Sequence, residues 1–200
     1  VEEGILFFWA SWLLWIIVTF LMKKSSRRTI LAYWILLTII SSSLYFYIGP
    51  FMFSLAIFTL FIGSIILMSK QTKTFYHLLS AFTITICYSA LLLWEKISPI
   101  WVILPREILI SIIISCFVYV LCHNFVGRIS ICLFGMLTGE MIYSFILSSY
   151  GFQEVVGEKA FLDTLICTLL ILSVLDILHK GKVKVTTLIT KLLTKLEVAK

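Results

Sequence analysis

The chain has 200 residues, 61% of them hydrophobic and 13% charged, with a formal net charge of +6 and a mean hydropathy of +1.10. Soluble domains carry about 25% charged residues, so this composition excludes an ordinary water-soluble globule and points to helices packed on helices in lipid. The five cysteines (Cys87, Cys116, Cys122, Cys132, Cys167) form no C-x-x-C pair. They read as small packing residues rather than zinc or redox groups.

Seven apolar runs follow one another, at about 4–22, 29–48, 51–69, 75–94, 102–122, 129–149 and 160–178. A hydrocarbon core about 30 Å thick needs roughly 20 apolar residues of helix. The expected fold is therefore all-α: a polytopic transmembrane bundle of about seven helices spanning 1–182. The first run is not a cleavable signal peptide, because Glu2 and Glu3 precede it, Lys23 and Lys24 follow it, and no small-residue cleavage site appears. Between the second and third runs only Gly49-Pro50 offers a turn, and a tight hairpin and a re-entrant break both stay open.

Orientation is read from the bases. Placing the amino terminus outside puts thirteen of the sixteen Lys and Arg residues in the inner segments around 23–28, 70–73, 123–128 and after 178. Only Lys96, Arg106 and Lys159 fall outside, a strong positive-inside bias. Trp9, Trp12, Trp94 and Trp101 then lie near the outer interface, as an aromatic belt would. The tail, 183–200, has Val185, Leu188, Ile189, Leu192, Leu193 and Leu196 at helical spacing, with Lys191 and Lys195 opposite. It reads as an amphipathic helix on the anionic inner leaflet. A helix docked on the protein's own inner loops is the alternative.

The sixth run, ISICLFGMLTGEMIYSFILSS, carries a carboxylate near its middle. Glu140 is costly in hydrocarbon and is expected to face other helices or a wet cavity. Ser144, one turn on, is its expected hydrogen-bonding neighbour, and Gly135-x-x-x-Gly139 marks a face where another helix backbone comes close. A proton, cation or substrate site and a neutral acid tying helices together are both consistent with Glu140. Arg106 and Asp163 fall at similar outer depth and form a candidate ion pair, with two separate interfacial charges as the alternative. Asp176, at the inner end of the last run, is expected to meet nearby lysines.

His77, His123 and His179 all fall at inner helix ends, yet none has another ligand at i+3 or i+4, so no metal site is expected. No G-x-S-x-G, H-E-x-x-H or phosphate-loop motif appears, and no cofactor is called for. The last run has no lysine between Lys159 and Lys180, which rules out a mid-membrane Schiff base to retinal. The basic tail finds lipid nearer than nucleic acid.

The opening GILFFWASWLLWIIVTFLMKK, the overall size and the FGMLTGE stretch together make the chain resemble the YphA family of small integral membrane proteins from endospore-forming bacteria. That resemblance implies a bacterial inner-membrane location and a link to sporulation, and it brings no catalytic residues. The expected role is non-enzymatic, a membrane component that assembles with partner membrane proteins or supports a cell-envelope process. The alternative is a small-solute or ion carrier, including the substrate-binding subunit of a larger transporter.

Overall fold

The computed structural model describes residues 4–49, 51–71, 73–97, 105–152 and 155–198, with the side chains of 184, 185 and 187–198 excepted. Seven helices follow in order: α1 (Ile5–Ile16) with a π-helical turn (Ile17–Leu21), α2 (Ser26–Ser41), α3 (Leu55–Ser69), α4 (Thr74–Ile97), α5 (Arg106–Leu121), α6 (Phe125–Ser149) and α7 (Lys159–Val198). Short connections at 22–25, 70–73 and 122–124 reverse the chain at one end, which is the basic end. Trp9 and Trp94 are well exposed towards the other end and Trp12 partly so, while Trp101 lies outside the described residues.

Helices α4, α6 and the first 25 residues of α7 (Lys159–Val183) are long and apolar enough to cross a bilayer. The run from Ile5 to Leu21 and α3 are shorter apolar helices. Phe20, Tyr33 and Phe75 are 74%, 70% and 81% exposed. Side chains of that size spread over the outside of the bundle suit a lipid surround, not water.

Between the second and third expected runs the chain forms a β-hairpin, which shortens both runs. Helix α2 stops at Ser41 and α3 starts at Leu55, because Tyr45–Ile48 (β1) and Phe51–Ser54 (β2) pair antiparallel between them. Aromatic and β-branched residues suit a pleated surface, and Gly49 takes a positive φ of 62° where the chain reverses. Val155–Val156 (β3) adds in parallel to β2. Inward-facing Phe53 and Val156 are buried and lock this small sheet onto the bundle, whereas Tyr47 and Ile48 at the hairpin tip are exposed. The open edge of β1 belongs at the interface or in water, since unpaired backbone groups are not tolerated in hydrocarbon.

Helix α6 is the centre of the bundle. It packs against α3, α4, α5 and α7, and Ile131, Cys132, Met136 and Leu137 on it are fully buried. Its tightest seam is with α4. A Cβ at Gly135 would sit 2.7 Å from Ile84 Cβ and 2.9 Å from the Ala81 carbonyl oxygen. One at Gly139 would sit 2.9 Å from Tyr88 Cδ1 and 3.0 Å from the Thr85 carbonyl oxygen. Hydrogen bonds cross the same seam: the Thr85 hydroxyl lies 3.2 Å from the Gly135 carbonyl and 2.6 Å from the Thr138 hydroxyl. A parallel device joins α5 to α7, where Ser111 donates to the Thr164 carbonyl and Ser115 to that of Thr168. Lipid tails are as apolar as leucine, so close packing and interhelical hydrogen bonds must carry helix association.

Helix α7 continues without interruption through Val198, so the described part of the expected tail segment is an extension of α7 rather than a separate helix. The apolar and lysine faces expected for that segment lie outside the described side chains.

These contacts set an order of stability. Gly135→Ala forces α4 and α6 apart and is expected to cost about 1–3 kcal/mol. Gly181→Ala, at a helical position with nothing within 4 Å, is expected to be neutral or to stabilise by up to about 1 kcal/mol. Thermal melts of the two purified variants in one detergent check the order.

Candidate functional site

The seam between α4 and α6 determines where Glu140 points. With Tyr88 lying over Gly139, its hydroxyl reaches the next residue on α6 and donates to Glu140 Oε2 at 3.1 Å. Tyr88 is 1% exposed and Glu140 6%. Met136, Leu137, Tyr143 and Ser144 around the carboxyl are buried as well. A phenol that donates to one carboxyl oxygen is compatible with either protonation state of the acid.

Ser144 does not take the role expected of it. It is buried one turn along α6, but its hydroxyl makes no hydrogen bond among the described residues. A hydrogen-bond donor to Glu140 comes instead from the neighbouring helix, where the glycine seam brings Tyr88 close.

Arg106 and Asp163 are not brought together either. Arg106 Nε pairs with Glu95 Oε2 at 3.1 Å, linking the start of α5 to the end of α4. Asp163 turns instead to α1: its Oδ2 accepts the Gly4 N–H and its Oδ1 the Phe7 N–H, both at 2.7 Å. The first turn of a helix has unsatisfied N–H groups and a positive dipole end. The residue before α1 is Gly4, which has no side chain to cap it. A buried carboxylate from α7 supplies the cap, and both of its oxygens are engaged by backbone N–H groups.

The basic end holds a second buried charge. Arg128 is 3% exposed. Its Nε donates to the Cys122 carbonyl at 2.6 Å, its guanidinium lies 4.0 Å from the Tyr119 ring centroid, and Nη1 is 3.8 Å from Asp176 Oδ1. Asp176 also pairs with Lys180, one turn on in α7. The guanidinium thus gathers a carbonyl and a ring from the end of α5 and a carboxylate from α7, as its planar fork and π-face allow. Tyr119 in turn meets His179 Nδ1 at 3.3 Å. His77 is buried, and its ring lies next to Gly127. Among the described residues no group of three or more His, Cys, Asp or Glu side chains is placed to hold a metal.

Two residues of this arrangement went unread in the sequence. Tyr88 looks like any aromatic in an apolar run, and only the pairing of α4 with α6 gives it meaning. Arg128 was grouped with the inner-loop bases, but α6 begins at Phe125 and carries it into the bundle. Asp176 at the same end was the available hint.

Comparison with known proteins agrees with the membrane architecture. No solved structure matches the chain. The uncharacterized protein YphA of Bacillus subtilis (strain 168) is 26% identical over 166 residues, covering 80% of this chain and 81% of that protein. Residues 3–197 match the family described as YphA-like integral membrane protein. With nearly its whole length inside that match, the chain belongs to the YphA-like integral membrane protein family.

Proposed function

We propose that this protein acts without catalysis, as a bilayer component that assembles with other membrane proteins in support of a cell-envelope process such as sporulation. The observation that carries this reading is the placement of Glu140. Its carboxyl is hydrogen-bonded to Tyr88 across the close α4–α6 seam, among side chains that are themselves buried. An acid so placed ties α4 to α6 and leaves the outer helix faces free for partners and lipid. A second reading, a carrier for a small solute or ion or a subunit of one, draws on the presence of a buried carboxyl, Glu140, within a helix long and apolar enough to cross a bilayer.

Replacement of Glu140 separates the two. Glu140→Gln keeps shape and hydrogen bonding but has no titrating proton. It is expected to fold and to complement whatever growth or sporulation phenotype a deletion shows. A well-folded glutamine variant without function would favour the carrier. Glu140→Leu leaves the Tyr88 hydroxyl buried without its acceptor, and its melting temperature should fall further than that of the glutamine variant, by the equivalent of about 1–3 kcal/mol.

The orientation is proposed with the basic end, and the 183–200 tail, in the cytoplasm at the anionic leaflet. The concentration of lysine and arginine at that end supports it. Single cysteines in a background cleared of the native five test it in intact cells. Phe152→Cys is expected to react with a membrane-impermeant maleimide, and Ser25→Cys and Thr186→Cys only after the cells are opened. Reaction of Ser25→Cys in intact cells would reverse the orientation.

A further inference from the structure

Apart from the Glu140 seam, α4 and α6 enclose a second feature on their outer side. An apolar groove of about 460 Å³ runs between Phe75, Leu79 and Phe82 on α4 and Phe134, Thr138 and Ile142 on α6. From Phe75 to Thr85 it follows ten residues of α4, about 15 Å at helical rise. That is half of a hydrocarbon core about 30 Å thick, the depth of one leaflet. The groove opens at the basic end, where Lys70 and Lys73 stand exposed in the loop just before Phe75.

The lining selects the kind of occupant. Helices dock in membranes through small residues and interhelical hydrogen bonds, but these walls are phenylalanine, leucine and isoleucine. The groove's hydroxyls, those of Thr85 and Thr138, are already engaged with each other and with carbonyls of their own helices. Such a surface offers a partner helix neither close backbone approach nor a polar contact. It offers a flexible hydrocarbon chain a continuous apolar bed, with positive charge at the mouth for a phosphate.

We propose that the groove between α4 and α6 binds an anionic phospholipid of the leaflet at the basic end, one acyl chain lying along Phe75–Leu79–Phe82 and the headgroup phosphate at Lys70 and Lys73. The site is separate from Glu140 and holds whichever role that residue has.

Photo-labelling of the full-length protein tests it. The protein is placed in phosphatidylcholine nanodiscs doped with phosphatidylglycerol that carries a diazirine in one acyl chain, and the labelled peptides are mapped by mass spectrometry. Labelling should concentrate on residues 75–82 and 134–142, several-fold above the equally lipid-facing residues 5–21. Lys70→Gln with Lys73→Gln should lower groove labelling by about fivefold for each lysine, and should leave labelling by a diazirine phosphatidylcholine unchanged. Leu79→Trp, at an exposed wall position that the fold does not depend on, should lower labelling by both probes. Even labelling around the bundle would overturn the proposal. So would equal labelling by the two headgroups, or recovery of the groove peptides crosslinked to a second copy of the chain.

Discussion

In hydrocarbon there is no water to satisfy a polar group, and no hydrophobic gain in pressing one apolar helix against another. A helical bundle in a membrane must therefore be held by close backbone approach and by hydrogen bonds made inside the protein. The contact of α4 with α6 meets both demands at once. Gly135 and Gly139 remove the side chains that would keep the helices apart, and the space so gained brings Thr85 to Thr138 and Tyr88 to Glu140. The costly carboxylate and the small-residue seam are parts of one device. With α6 fixed in this way, α3, α5 and α7 pack on its remaining sides.

The two ends of the bundle are closed by charges acting on backbone. At one end Asp163 of α7 caps the first turn of α1 and so joins the first helix to the last. At the other, Arg128 holds the carbonyl that ends α5 and faces Asp176 of α7. Helix α7 takes part in both, and the serine–threonine contacts with α5 lie between them. Breaking either charged cluster would leave an uncompensated charge in a poorly solvated place, which costs more than the pair itself contributes.

The number of helices and their order were legible in the sequence, because a bilayer imposes a length and an apolarity that few other environments demand. Glu140 was legible as a residue needing company, and Gly135 and Gly139 as a place where company would come close. Its partner was not, since Tyr88 lies 52 positions away and nothing local distinguishes it from other aromatics. The hairpin at 45–54 was hidden for a different reason: its aromatic residues are apolar enough to pass as the ends of helices, and strand pairing is a non-local property. The pairing of Arg106 with Asp163 failed because depth in the bilayer was the sole criterion. Helix α1 begins at a glycine that cannot cap itself, so the nearest buried carboxylate is claimed by backbone, and Arg106 finds Glu95.

If the Tyr88–Glu140 hydrogen bond helps hold the α4–α6 seam, the two side chains must be energetically coupled. A double-mutant cycle measures this directly, from the stabilities of the native protein, Tyr88→Phe, Glu140→Leu and the double variant in one detergent. Interhelical hydrogen bonds in membranes average about 0.6 kcal/mol with a maximum near 1.7, and leaving one partner buried alone adds to each single loss. The expected result is a double variant more stable than the sum of the single losses predicts, by at least about 0.6 kcal/mol. Strictly additive losses would contradict it, and would mean that the glycine seam stands without the acid at its centre.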